Sequence, residues 1–221
     1  MAERRRRRLR ATLISAALAT ALLTLAVLVA GCGGGTASDP LAGYWIGGAK
    51  STPILVHVVK DGDTYSVRAN PDTPLGATTK NGDALVIATH AVTMTFAPGD
   101  GNTLTVALSG DAFTTKQTLT LQRVDETRYA DAAVKYGLAA IRRGLMMWAR
   151  GGGQKFPPPN EVNSNGLLGK MVMPWPVNMF SGQPMQPGDN KGDYTYTLMS
   201  GGRQFTLVGH LSDGSTTKGT P

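Results

Sequence analysis

At Val124 the apolar pattern of this chain changes period, and that change limits what the chain can fold into. From Leu41 to Val124 the sequence reads as short strands separated by tight turns. Ile54-Leu55-Val56-His57-Val58-Val59 precedes Asp61-Gly62-Asp63, and Tyr65-Ser66-Val67-Arg68 follows, a hairpin pattern. Asn81-Gly82, Gly99-Asp100-Gly101 and Ser109-Gly110-Asp111 mark further turns. Thr118-Leu119-Thr120-Leu121 alternates polar with apolar. About six to eight antiparallel strands at such spacing predict a meander that closes, or nearly closes, into a small barrel. After Val124, Asp125 can cap a helix over about Glu126 to Arg150, on which Tyr129, Ala133, Tyr136, Ala140, Gly144 and Trp148 share a face. Gly137 and Gly144 cost helix propensity there, which predicts close packing against a sheet. A proline-rich loop follows. Tyr194 to Leu198 and Gln204 to His210 then form a hairpin over Ser200-Gly201-Gly202. The fold class predicted is α+β: an antiparallel meander or small barrel over 41–124, then a helix with a small antiparallel sheet over 125–221.

Ahead of both lies a different kind of segment. Arg4 to Arg8 and Arg10 precede Ala11 to Gly31, which holds no charge, and the apolar run ends at the only cysteine, Cys32. A basic start, an apolar stretch and small residues before a cut site are the layout of a secretory signal over 1–31. Val29-Ala30-Gly31-Cys32 resembles the lipobox of bacterial lipoproteins. That resemblance implies cleavage between Gly31 and Cys32, lipid (palmitate among the acyl groups) on the Cys32 thiol, and a chain held on the outer face of the cell membrane. A run of roughly 20 apolar residues also suits an uncleaved transmembrane anchor, and the arginines place the rest of the chain outside the cytoplasm in either case. Residues 32–40 read as a flexible tether.

The charge of the chain misleads until it is divided. Of the formal +7, the six arginines and Glu3 of residues 1–31 carry +5, leaving +2 on the remainder. No basic footprint for nucleic acid is left. With one cysteine no intramolecular disulfide forms, so ordinary packing must hold the fold.

Two further resemblances bear on function. Gly43-Tyr44-Trp45 is similar to the G-x-W opening of lipocalin-like (calycin) barrels, where the tryptophan plugs one end beneath a basic residue from a late strand. This implies Trp45 and Arg123 as a barrel-plug pair. In the second half, the helix end Leu145-Met146-Met147-Trp148-Ala149, the Phe156-Pro157 step, Trp175-Pro176-Val177-Asn178-Met179-Phe180-Ser181-Gly182 and the final hairpin resemble the globular head of type II secretion pseudopilins and type IV pilin-like proteins. The resemblance covers roughly residues 126–215 and implies the head fold, not polymerisation. The processing site and long first helix of that family have no counterpart here, and Met179 stands where it has proline.

Chemistry-bearing motifs are sparse. His57 and His210 fall in predicted strands and His90 at a strand break, with no metal-ligand spacing between them. No G-x-S-x-G occurs. Some pseudopilins bind calcium near the C-terminus, but Asp189, Asp193 and Asp213 lie among turn signals and read as turn residues. No enzyme, metal or cofactor is predicted. Trp175, between Pro174 and Pro176, is the candidate partner anchor, with Phe180 and Met185 beside it. The function expected is a membrane-anchored, non-catalytic binding or assembly component with a protein partner at the cell surface, associated with a secretion or pilus-like system. The alternative is a tethered lipocalin-like carrier of a small apolar ligand.

Overall fold

The structure is a computed structural model that describes residues 39–49, 52–111, 113–151 and 155–219. The signal segment, Gly31 and Cys32 lie outside the described residues.

Nine strands form one antiparallel sheet: β1 (Gly43–Ala49), β2 (Thr52–Asp61), β3 (Thr64–Ala69), β4 (Thr73–Pro74), β5 (Thr79–Asn81), β6 (Ala84–Ala88), β7 (Thr93–Pro98), β8 (Thr103–Ser109) and β9 (Gln117–Val124). Their order is β4-β3-β2-β1-β9-β8-β7-β6-β5. This is an up-and-down meander curled until its first strand pairs with its last, Trp45 opposite Arg123, and open only where β4 and β5 form its two edges. The curled half-barrel agrees with the meander read from the sequence. β4 and β5, two and three residues long, were too short to show a period of two.

Alternation along each strand sorts the side chains. Trp45, Val56, Val58, Val67, Leu85, Ile87, Phe96, Leu104, Val106 and Leu121 are buried together in one core. On the opposite face of β1 and β2, Tyr44, Ile46 and Leu55 meet the helix α1 (Glu126–Arg150) at Tyr129 and Ala133. Asp125 caps α1 as predicted, its carboxylate accepting from the Arg128 amide at 2.8 Å. No helix among the described residues is long and apolar enough to cross a membrane.

A second face of α1, with Val134, Leu138, Ile141 and Leu145, packs on the C-terminal part of the chain. There β12 (Tyr194–Met199) and β13 (Gln204–His210) form the predicted hairpin, and β14 (Thr216–Lys218) adds a third antiparallel strand. β10 (Val177–Asn178) and β11 (Gln183–Pro184) make a separate two-stranded ladder. A Cβ on Gly209 of β13 would lie 2.5 Å from a Val134 methyl, so the helix and sheet approach more closely than any other residue there permits.

The helix glycines correct one expectation. Gly137 and Gly144 do face a close neighbour, but it is a loop and not a sheet. A Cβ at Gly137 would fall 2.3 Å from Met185 Sδ and 3.0 Å from Pro176 Cβ, and one at Gly144 would fall 2.2 Å from Val172 Cγ2. Seven residues apart, the two glycines lie two turns apart on one face and form two notches that seat the loop.

This notch makes a prediction. Gly144→Ala adds helix propensity of about 1 kcal/mol, yet overpacks the Val172 contact at a cost of about 1–3 kcal/mol. We expect a net loss of stability, read as a lower denaturant midpoint at unchanged slope.

Candidate functional site

The segments that meet around the notched face enclose a cleft of about 630 Å³. One wall is the β3–β4 turn, Ala69 to Leu75. The second is α1, through Tyr136, Ala140, Arg143, Gly144 and Met147. The third is the loop from Met171 to Val177. These walls come from three stretches far apart in sequence, so no local motif announces the cleft.

The loop wall is held from several sides. Val172 fills the Gly144 notch and Met185 the Gly137 notch. The Trp175 indole N–H donates to the Met185 carbonyl at 2.9 Å, and its ring lies 6.5 Å from that of Tyr194. Beneath, buried Asn178 donates to the Lys191 carbonyl at 2.9 Å and to the Asp193 carboxylate at 3.0 Å, and accepts from the Phe180 amide at 2.9 Å. The turn wall is anchored by the Tyr129 hydroxyl, which donates to the Pro71 carbonyl at 2.7 Å, and by Arg68, paired with Asp72 at 2.7 Å.

Methionines stand out on this frame. Met147, Met171 and Met173 are 56%, 38% and 81% exposed, and all line the cleft beside half-buried Trp175. Sequence reasoning missed them, although seven of the chain's nine methionines fall between residues 146 and 199. A thioether is unbranched and polarizable, so such side chains adapt to varied apolar surfaces.

The predicted partner anchors divide. Trp175 does line the cleft, and Phe180 is exposed on the loop that follows β10. Met185 is fully buried against Gly137 and cannot touch a partner; with its neighbours at the helix it belongs to the core. Trp45 and Arg123 are brought together. The guanidinium carbon lies 4.4 Å from the Trp45 ring centroid, and the head donates to the carbonyls of Ala42 at 2.8 Å and Pro40 at 2.9 Å. Trp45 is itself buried, and its indole N–H donates to the Leu41 carbonyl at 2.9 Å. Arg123 thus ties the chain entering β1 to the end of β9.

The acidic residues serve local structure. Asp193 accepts from Asn178 and from the Gln186 amide, and the Ser215 hydroxyl, followed by the Ser215 amide that Asp213 accepts from at 2.8 Å, holds the Asp213 carboxyl below the usual value. Asp189 is exposed on the surface. Among the described residues no group of three or more His, Cys, Asp or Glu side chains is placed to hold a metal ion.

His57 sits in a row across three strands, opposite Tyr44 on β1 and Arg68 on β3. It stacks on Tyr44 with ring centroids 4.2 Å apart, and Tyr129 closes over it at 6.2 Å. Burial, and then the positive charge of Arg68, push its pKa below 6.5, against smaller opposing pulls from Asp72 and Glu126. Burial, aided by nearby Glu126, raises the Tyr44 hydroxyl. His210 instead shares a 2.9 Å hydrogen bond with the Thr195 hydroxyl, and His90 is exposed.

Compared with known proteins, the chain matches no protein family, no curated protein and no solved structure.

Two predictions follow from these contacts. Arg123→Met keeps the apolar stem but removes the cation over Trp45 and both hydrogen bonds, and should cost about 1–2 kcal/mol in chemical denaturation. For His57, a depressed pKa in the fold means that the unfolded chain binds more protons. Its contribution to stability is complete above about 6.5 and lost as pH falls below that value. The thermal unfolding midpoint should therefore fall on acidification through that window, and His57→Gln should flatten the dependence.

Proposed function

We propose that this chain is an extracytoplasmic lipoprotein, anchored through Cys32, that acts as a non-catalytic binding component and takes its partner in the methionine-lined cleft. The observation that carries this reading is the grouping around one opening of exposed Met147 from α1 with exposed Met171 and Met173 and with Trp175, these three on a loop seated in two helix notches. Exposed apolar side chains on a rigid frame are a cost that a surface bears where something covers them. An aromatic anchor ringed by adaptable thioethers suits a protein surface that must be gripped without a charged lock. Association with a secretion or pilus-like assembly rests on the resemblance of residues 126–215 to pseudopilin heads. The order of helix, Phe156-Pro157 step, tryptophan loop and packed hairpin supports it.

The carrier alternative changes its location. Trp45, Phe96, Leu85, Leu104 and Leu121 occupy the core of the curled sheet, so the ligand space lies outside it. At about 630 Å³ the cleft falls within the roughly 300–1,000 Å³ of small-molecule sites. A small apolar ligand would therefore sit against α1.

A photoreactive amino acid placed at Met173 of the full-length protein, in native membranes, separates the readings. A defined cross-linked protein of fixed mass supports the binding component, and a small-molecule adduct supports the carrier. Neither product, with the variant folded, removes the cleft from both. Intact-mass analysis of the same material should show a chain beginning at acylated Cys32; an unmodified chain retaining residues 1–31 would sink the lipid anchor.

A further inference from the structure

A second cleft, of about 450 Å³, lies over the C-terminal sheet. Three cations line it from three separate elements: Arg142 from α1, Arg203 from the turn between β12 and β13, and Lys218 from β14. No Asp or Glu lines it. Its apolar side is built from Phe156 and Phe205, packed edge to face with centroids 4.6 Å apart, and Met199 stands at the opening with 40% exposure.

Arg142 is also engaged within the protein, so the charge offered to a ligand comes chiefly from Arg203 and Lys218. Both are exposed, and neither makes an ion pair among the described residues. Like charges drawn to one cleft repel one another at a cost that an anion removes. A planar guanidinium and a mobile ammonium together suit the oxygens of a phosphate group, which accept several charge-assisted hydrogen bonds at once. The phenylalanine pair and Met199 give an apolar body somewhere to lie, which free phosphate lacks.

We propose that this cleft binds a phosphate group carried on an apolar body, as in the headgroup and upper chain of an anionic phospholipid. The site is separate from the methionine cleft and does not depend on the partner proposed for it.

The test uses the full-length protein in a neutral detergent, with hydrogen exchange of the Ser200–Val208 peptide as the readout. Three probes are titrated: dihexanoylphosphatidylglycerol, its zwitterionic phosphatidylcholine counterpart, and inorganic phosphate. The glycerol lipid should protect the peptide saturably and more strongly than the choline lipid, with protection lost at high salt. Arg203→Gln and Lys218→Gln should each weaken it roughly tenfold, while Lys135→Gln, on α1 but outside the cleft, should not. Protection by inorganic phosphate equal to that by the lipid would keep the phosphate seat and move its source to a soluble ligand. Protection by none of the probes, or protection that survives in the folded Arg203→Gln/Lys218→Gln double variant, would overturn the proposal.

Discussion

Burial of α1 on three sides is the contact on which the other parts depend. Tyr129 and Ala133 cover the outer face of β1 and β2, Val134 and Leu138 meet β13 across Gly209, and Gly137 and Gly144 receive the loop. Small residues set the distances and large ones fill the space: Leu138, Ile141 and Leu145 are all fully covered. At roughly 1.5–3 kcal/mol per fully buried aliphatic side chain, these few positions outweigh the propensity lost at two glycines. Without the helix, Tyr44, Ile46 and Leu55 would face water and the tryptophan loop would have nothing to rest on.

The same economy explains why binding chemistry lies outside the curled sheet. Small barrels fill with their own side chains, and here Trp45 and Phe96 take up much of the interior. Arg123 spans from the end of β9 to the carbonyls before β1, so the sheet is fastened where the first strand meets the last. The open edges are β4 and β5, both short. One of them, with its preceding turn, becomes a wall of the methionine cleft. Short edge strands also limit unwanted pairing with another chain.

Much of this was legible in the residues. The alternation at Thr118-Leu119-Thr120-Leu121, the cap at Asp125 and the hairpin over Ser200-Gly201-Gly202 each carry their own local physics, and each lies where it was read. The pairing of Trp45 with Arg123 followed from a resemblance of three residues plus one guess about a late strand. What could not be read depends on distant contacts. β10, β11 and β14 have too few residues to show a period. Met185 looked like a neighbour of an exposed tryptophan, but the notch at Gly137 lies 48 residues earlier in the chain and draws it inside. Gly137 and Gly144 announced close packing without saying against what, because a loop with no periodicity supplied the contact.

Neighbouring residues on α1 show how one element serves two surfaces. Arg142 and Arg143 are consecutive, and about 3.6 residues per turn separates their directions by roughly 100°. The first lines the cationic cleft over the C-terminal sheet, and the second lines the apolar cleft beside the β3–β4 turn. The helix is therefore a shared wall whose position is fixed by packing on both sides. The two clefts still differ in what holds a ligand. Thioether and indole contacts gain from removing apolar surface from water and are indifferent to screening, whereas a seat made by Arg203 and Lys218 weakens as salt shortens the reach of charge. Exposed Met147, Met171 and Met173 gather at the first of these places, and exposed Arg203 and Lys218 at the second.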